Sequence, residues 1–268
     1  MALVHLPELS IPADLEPEHM PDLLRHWYLG SPARRHLMLR RFAEVDSQLL
    51  DSGARVLDIG SAWGFNVFVL LKLGYRVVGV DLVTDPFQVG IRIARANGLP
   101  FTIAGADAAA LPFDGDAFDA ITMVETFEHI YVDDRPAVLS ECHRVLRRGG
   151  RLILSTPNER GPVERGKQWI GRRRWLRDRL PPMCYPDEGV ARNDYHPYSY
   201  HSPLPEERIR ALLASAGLRV TATKHFLFSL KITPDRLLPM TAAAERTLEH
   251  LPGLGPLAST VCITAEKP

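Results

Sequence analysis

The chain is poor in the features that stabilise secreted, membrane-spanning or nucleic-acid-binding proteins. Only three cysteines occur, Cys142, Cys184 and Cys262, odd in number and far apart, so neither a disulfide framework nor a cysteine zinc cluster is indicated. Net charge is absent as well. The 32 basic and 32 acidic residues cancel, which argues against the broad basic surface needed to bind nucleic acid or an anionic membrane. No apolar run approaches the ~18 residues of a membrane span, and nothing near the start combines a basic segment, an apolar stretch and a cleavage site. The expectation is a cytoplasmic protein without a membrane span. At 46% hydrophobic and 24% charged residues, the composition is that of an ordinary globular domain.

The most informative stretch is Arg55-Val-Leu-Asp-Ile-Gly-Ser-Ala-Trp-Gly-Phe65. Val56, Leu57 and Ile59 read as a short buried parallel strand. Gly60 and Gly64 then permit a tight turn and close approach of backbone to ligand, with a helix from about Gly64 to Lys72. A second strand, Arg76 to Val80, delivers Asp81 21 residues after Gly60. That is near the ~20-residue offset at which a carboxylate accepts ribose hydroxyls. A nicotinamide dinucleotide would want Gly-x-Gly-x-x-Gly, so that its pyrophosphate could sit at the helix N-terminus. Here Asp58 stands two residues before Gly60, where a carboxylate repels pyrophosphate but suits the ammonium of a methionine moiety.

The pattern Asp-x-Gly-x-x-x-Gly, from Asp58 to Gly64, resembles the first motif of class I S-adenosylmethionine-dependent methyltransferases, with Ala62 where many members carry a glycine. The resemblance implies S-adenosylmethionine as cofactor. Asp58, Gly60, Ser61, Ala62 and Gly64 would surround its methionine portion, Asp81 and Leu82 its ribose, and Asp107 and Ala108 its adenine amino group. Glu125 would lie at the methionine end.

Strands and helices go on alternating. Helix Pro86 to Asn97 stops at Gly98, and strands Phe101 to Ala104 and Phe118 to Val124 follow. Helix Arg135 to Leu146 ends before Gly149-Gly150, and a strand runs from Arg151 to Ser155. Later come a helix from Glu206 to Ala216, an extended segment from Leu218 to Phe226 and a strand from Ser259 to Ala265. The alternation predicts an α/β fold with a doubly wound, mostly parallel sheet. The resemblance adds a Rossmann-like count of seven strands with an antiparallel last strand. Residues 1–50 read as an N-terminal helical extension, with two helices broken at Gly30-Ser-Pro32. Residues 51–268 read as the methyltransferase domain, with substrate-side insertions, an inserted cap, at about 156–204 and 227–258.

In an open α/β sheet the ligand crevice lies beyond the carboxyl ends of the strands, where strand order reverses; here that is between the first and fourth strands. Glu125-Thr-Phe-Glu-His129 then faces the glycine turn. Transfer from a sulfonium is an in-line displacement, so the protein aligns the acceptor, excludes water and takes up a proton. His129 is the expected general base for a hydroxyl acceptor, with Glu125 and His201 beside it. If the segment turns helically, Glu125, Glu128 and His129 share one side and, with His196 or His201, offer a divalent-metal site. Glu-x-x-Glu-His is similar to the ubiquinone-pathway O-methyltransferases and to enzymes that methylate the terminal 2′-hydroxyl of small RNAs. A metal-free site remains the main reading, since metal-free relatives carry similar acidic residues.

Between Glu159 and Arg179, eight basic residues outnumber three acidic ones, with Trp169 and Trp175 among them. The arginines suit phosphate or carboxylate and the indoles could stack on a ring. The alternative is a surface helix with its tryptophans packed inward. Tyr195, His196, Tyr198, Tyr200 and His201 form an aromatic cluster suited to a small acceptor, aromatic or anionic. The combined expectation is a small-molecule O-methyltransferase. Nitrogen or carbon acceptors, RNA 2′-O-methylation, a non-catalytic binding platform and a dehydrogenase are the rivals.

Overall fold

The computed structural model describes residues 9–15, 20–21, 24–25, 29–49, 53–173, 175, 179, 190–197, 199–230 and 233–268. Cys184, Tyr198 and much of the first predicted helix fall outside them. Seven strands make one sheet: β1 (Arg55–Ile59), β2 (Arg76–Asp81), β3 (Ile103–Gly105), β4 (Phe118–Val124), β5 (Leu146–Pro157), β6 (Arg219–Phe226) and β7 (Thr260–Glu266). Their order is β3-β2-β1-β4-β5-β7-β6. The first five run parallel, and β7 lies antiparallel to both β5 and β6. This is the predicted doubly wound sheet with an antiparallel last strand, and strand order reverses between β1 and β4.

The continuous apolar runs arise because both faces of the sheet are covered. Neighbouring residues on one strand point to opposite sides. Thus Leu57, Ile121, Leu152 and Leu154 pack with α4 (Arg135–Val145) and α6 (Glu206–Ser215) through Val138, Leu139, Ile209 and Leu213. Val56, Ala120 and Ile153 pack on the other side with α1 (Pro32–Asp46) and α2 (Phe65–Lys72) through Leu37, Val45, Val67 and Leu70. The outer face of α2 meets α3 (Phe87–Ala96) through Phe65, Phe68, Val89 and Ile93. Ser31 caps α1 by accepting from the Arg34 amide, and Pro32 starts it where a missing N–H costs nothing.

Two boundaries differ from the sequence pattern. The third strand is shorter and later than Phe101 to Ala104, and β5 begins at Leu146 instead of Arg151. Leu146 pairs with Phe118 and Arg151 with Ala120, so the residues between them bulge outward. Gly149 at φ +71° makes that bulge feasible, and the edge is closed by Gly149 N–H donating to Lys267 O and Lys267 N–H to Gly150 O.

The segment between β5 and α6 carries α5 (Pro162–Gly171), and the segment between β6 and β7 carries α7 (Leu238–Leu248). α1 is tied to α7 by His36 Nε2 to Glu245 Oε2 at 2.9 Å, while Arg40 Nη2 reaches Glu249 Oε1, just past the helix, at 2.7 Å. Among the described residues no helix is long and apolar enough to cross a membrane.

Candidate active site

The turn leaving β1 is shaped by its neighbours. Gly60 (φ +77°) has no room for a side chain, because an added Cβ would overlap Thr126 in the turn after β4. Gly60 and Ser61 both donate their amides to Val80 O, at 2.9 and 3.1 Å, which docks the turn onto the end of β2. Ala62 takes the left-handed region (φ +48°), where an alanine costs roughly 1–2 kcal/mol and a glycine costs little. Its amide donates to Asp81 Oδ2 at 2.8 Å, and Val83 N–H donates to Asp81 Oδ1 at 2.9 Å. Burial raises the Asp81 carboxyl above its usual range, against the pull of these amides. Leu82 is half-exposed beside it, and Asp107 lies exposed past β3, its Oδ1 accepting from Ala109 N–H at 2.9 Å.

Asp58 is buried near the carboxyl end of β1. Its Oδ1 accepts from Asn66 Nδ2 and Thr122 Oγ1, each at 2.7 Å, and burial pushes its pKa up to about 6. Asp46, the last residue of α1, is a second buried carboxyl in its field.

The segment after β4 does not turn as one helix, which corrects the expectation that Glu125, Glu128 and His129 share a side. Glu125 stands at φ +51°, and only Phe127–His129 coil as a short 3₁₀ turn. Glu125 therefore faces elsewhere, accepting from Ser155 Oγ at 3.2 Å and pairing with Arg41 Nε of α1 at 3.1 Å. Glu128 is fully buried and accepts from Thr156 Oγ1 at 3.0 Å; burial, then Glu125, holds its carboxyl well above the usual range. His129 Nδ1 lies 2.5 Å from Tyr200 O. A carbonyl can only accept, so Nδ1 carries the ring proton and Nε2 has the lone pair. Burial first, and His201 second, push the His129 pKa down to about 4, so the ring is neutral near pH 7.

His201 joins this group: its ring centroid is 5.5 Å from that of His129, and its Nε2 lies 3.1 Å from Glu164 Oε2 of α5. Among the described residues, those able to hold a metal ion are Glu128, His129 and His201, whose ligand atoms all lie within 4.8 Å of one another. The expected Glu125 and His196 are not in that set; His196 is exposed. Tyr195 and Tyr200 pack on Tyr131 at 5.5 and 5.7 Å, and Tyr195 OH donates to His129 O at 2.8 Å. The tyrosines thus brace the histidine's backbone. Trp169 and Trp175 are exposed, 53% and 60%, which corrects the reading that they pack inward. Arg173 stacks over Trp169 at 3.9 Å.

Sequence reasoning missed Arg41, Glu164 and Arg135. Arg135 is fully buried and joins the 3₁₀ turn to the segment leading into α6, donating from Nη2 to Ser202 O at 2.6 Å and from Nε to Ile130 O at 3.0 Å. Motif spacing does not reveal such contacts. A charged residue among apolar helix positions is the only sequence signal, and it is weak.

Comparison with known proteins is consistent with this geometry. Residues 57–154 match the family model described as "Methyltransferase domain". The demethylmenaquinone methyltransferase of Thermus thermophilus is 32% identical over 186 residues, covering 66% of this chain and 79% of that protein. The ubiquinone biosynthesis O-methyltransferase of Xanthomonas oryzae pv. oryzae is 34% identical over 124 residues, 44% of this chain and 49% of the relative, so here the chain spans about half the relative's length. Among solved structures, a SAM-dependent methyltransferase from Thermotoga maritima superposes with a TM-score of 0.60 at 18% identity, covering 92% of this chain and 95% of that one. The [4+2]-cyclase SpnF gives 0.58 at 18% identity, covering 85% and 80%. A cyclase on this fold shows that it also hosts reactions other than methyl transfer.

Proposed function

The chain belongs to the class I S-adenosylmethionine-dependent methyltransferases, and we propose that it transfers the cofactor's methyl group to a hydroxyl of a small aromatic acceptor, with His129 as general base. The observation that carries this reading is the His129 ring. It is held neutral and its Nδ1–H is committed to Tyr200 O, which leaves the Nε2 lone pair as the basic position. S-adenosylmethionine, when bound, would supply the methyl group and leave as S-adenosylhomocysteine, and His129 Nε2 would take up the proton that the attacking acceptor hydroxyl gives up. The names of the two curated relatives, both from quinone pathways, support an aromatic acceptor.

On the cofactor side, Asp81 would accept the ribose hydroxyls, with Leu82 beside it, and Asp107 and Ala108 would meet the adenine amino group. The Asp58-to-Gly64 corner, including Ser61 and Ala62, encloses the methionine portion. Glu125 would lie at the methionine end, and Arg41, which pairs with it at 3.1 Å, would suit the carboxylate.

The test is a mass-shift screen of phenols and catechols with the purified protein. His129→Ala should lower turnover about 100-fold or more while S-adenosylhomocysteine affinity, measured by calorimetry, stays within about twofold. Unchanged turnover discards the assignment. The second reading is a divalent ion held by Glu128, His129 and His201, favoured by the convergence of their ligand atoms. Loss of turnover on exhaustive chelation, restored by added divalent cation, would select it.

A further inference from the structure

We propose that Glu164, brought in by the insertion helix α5, is a positioning residue of this site that fixes the His201 ring against His129; the inference rests on His129 being the base. Glu164 sits in the first turn of α5 and is 1% exposed, an environment a carboxylate enters only when its oxygens are matched. Its Oε1 is 2.5 Å from Lys167 Nζ, one turn along the helix, and its Oε2 is 3.1 Å from His201 Nε2. Each oxygen thus faces a nitrogen, and the Lys167 ammonium on Oε1 is the partner an ionised carboxylate takes. An ionised carboxylate only accepts, hence His201 presents Nε2–H to it.

Residues 200 and 201 then act together on the base. Tyr200 contributes the carbonyl that takes the Nδ1 proton of His129, and His201 contributes the ring that stands beside it. The orientation of the second ring is set from α5. That helix is itself fixed at its start, where Asn158 Nδ2 donates to Ala258 O at 2.9 Å and an added Cβ on Gly161 would press on the same carbonyl. In this way an insertion outside the common sheet completes the acceptor side of the crevice.

The test uses the full chain loaded with S-adenosylhomocysteine, with Glu164→Gln and Glu164→Leu as variants. Nitrogen-15 NMR should show a downfield, exchange-protected Nε2–H on His201 in the wild type, an upfield-shifted one in E164Q, where an amide oxygen still accepts, and none in E164L. With S-adenosylmethionine and catechol as probe, E164L should lose about 10- to 100-fold in kcat with cofactor KM within about twofold, and E164Q should lose less. A His201 resonance or a kcat unaffected by E164L overturns the proposal. If E164L does not fold, an unmoved resonance and full kcat in E164Q overturn it equally. The resonance needs no acceptor, so the proposal stays decidable whatever the substrate is. Full activity in H129A with the Glu164-dependent resonance intact would refute the base assignment alone.

Discussion

Replacing Asp46 with asparagine gives the sharpest physical prediction. Asp46 closes α1, is 9% exposed, and neither of its side-chain oxygens has a hydrogen-bond partner. Burial first, and the neighbouring Asp58 second, push its pKa from 3.8 up to about 8. Between about pH 4 and pH 8 the folded protein retains a proton that the unfolded chain has released, so stability falls as pH rises through that window and levels off above it. Each pH unit inside the window costs about 1.4 kcal/mol, so the loss from pH 5 to pH 8 is on the order of 3–4 kcal/mol. Asparagine cannot ionise. The stability of Asp46→Asn relative to the wild type should therefore rise by on the order of 3–4 kcal/mol between pH 5 and pH 8. His129 works in the opposite sense, adding stability as pH rises from about 4 toward 6.5, but it is present in both proteins and cancels in the comparison. Urea unfolding at pH 5, 6.5 and 8 measures the difference. Parallel pH dependences in the two proteins would refute the reasoning.

Three further outcomes follow from the site. Gly60→Ala forces a left-handed alanine into Thr126 and should cost about 2 kcal/mol or more, read as a lowered unfolding midpoint together with weakened S-adenosylhomocysteine binding. Asp81→Asn should weaken that nucleoside about 10- to 100-fold by calorimetry, since bonds to a charged acceptor contribute about 1.5–3 kcal/mol; unchanged affinity would remove Asp81 from the ribose site. With His129 pushed down to about 4, turnover should persist from pH 7 to pH 5 and fall only as pH approaches 4. An acid limb near 6.5 would point to an unperturbed histidine elsewhere.

Local rules were enough for the sheet and the first corner. Apolar runs such as Val56 to Ile59 and Ala120 to Val124 can only be strands covered on both faces, and Gly60 marks a turn where another chain segment comes too close for a side chain. The alternation of elements made the parallel sheet and its reversal between the first and fourth strands legible for the same reason, because it depends on residues at short spacing. The start of β5 was misjudged, since Gly149-Gly150 reads as a helix stop, whereas a bulge paired to Lys267 is a long-range feature.

The sequence by itself determined the doubly wound sheet, the glycine turn after its first strand and the place of His129 in the turn after its fourth, because periodicity, glycine turns and strand alternation are written in consecutive residues. Only the tertiary structure decided which groups surround that histidine. A left-handed Glu125 turns away toward Arg41, and His201 arrives from 72 positions later (201 − 129) with Glu164 behind it. Those contacts join segments distant along the chain, and their partners are chosen by packing and by the cost of burying a charge unmatched, neither of which leaves a periodic mark in sequence.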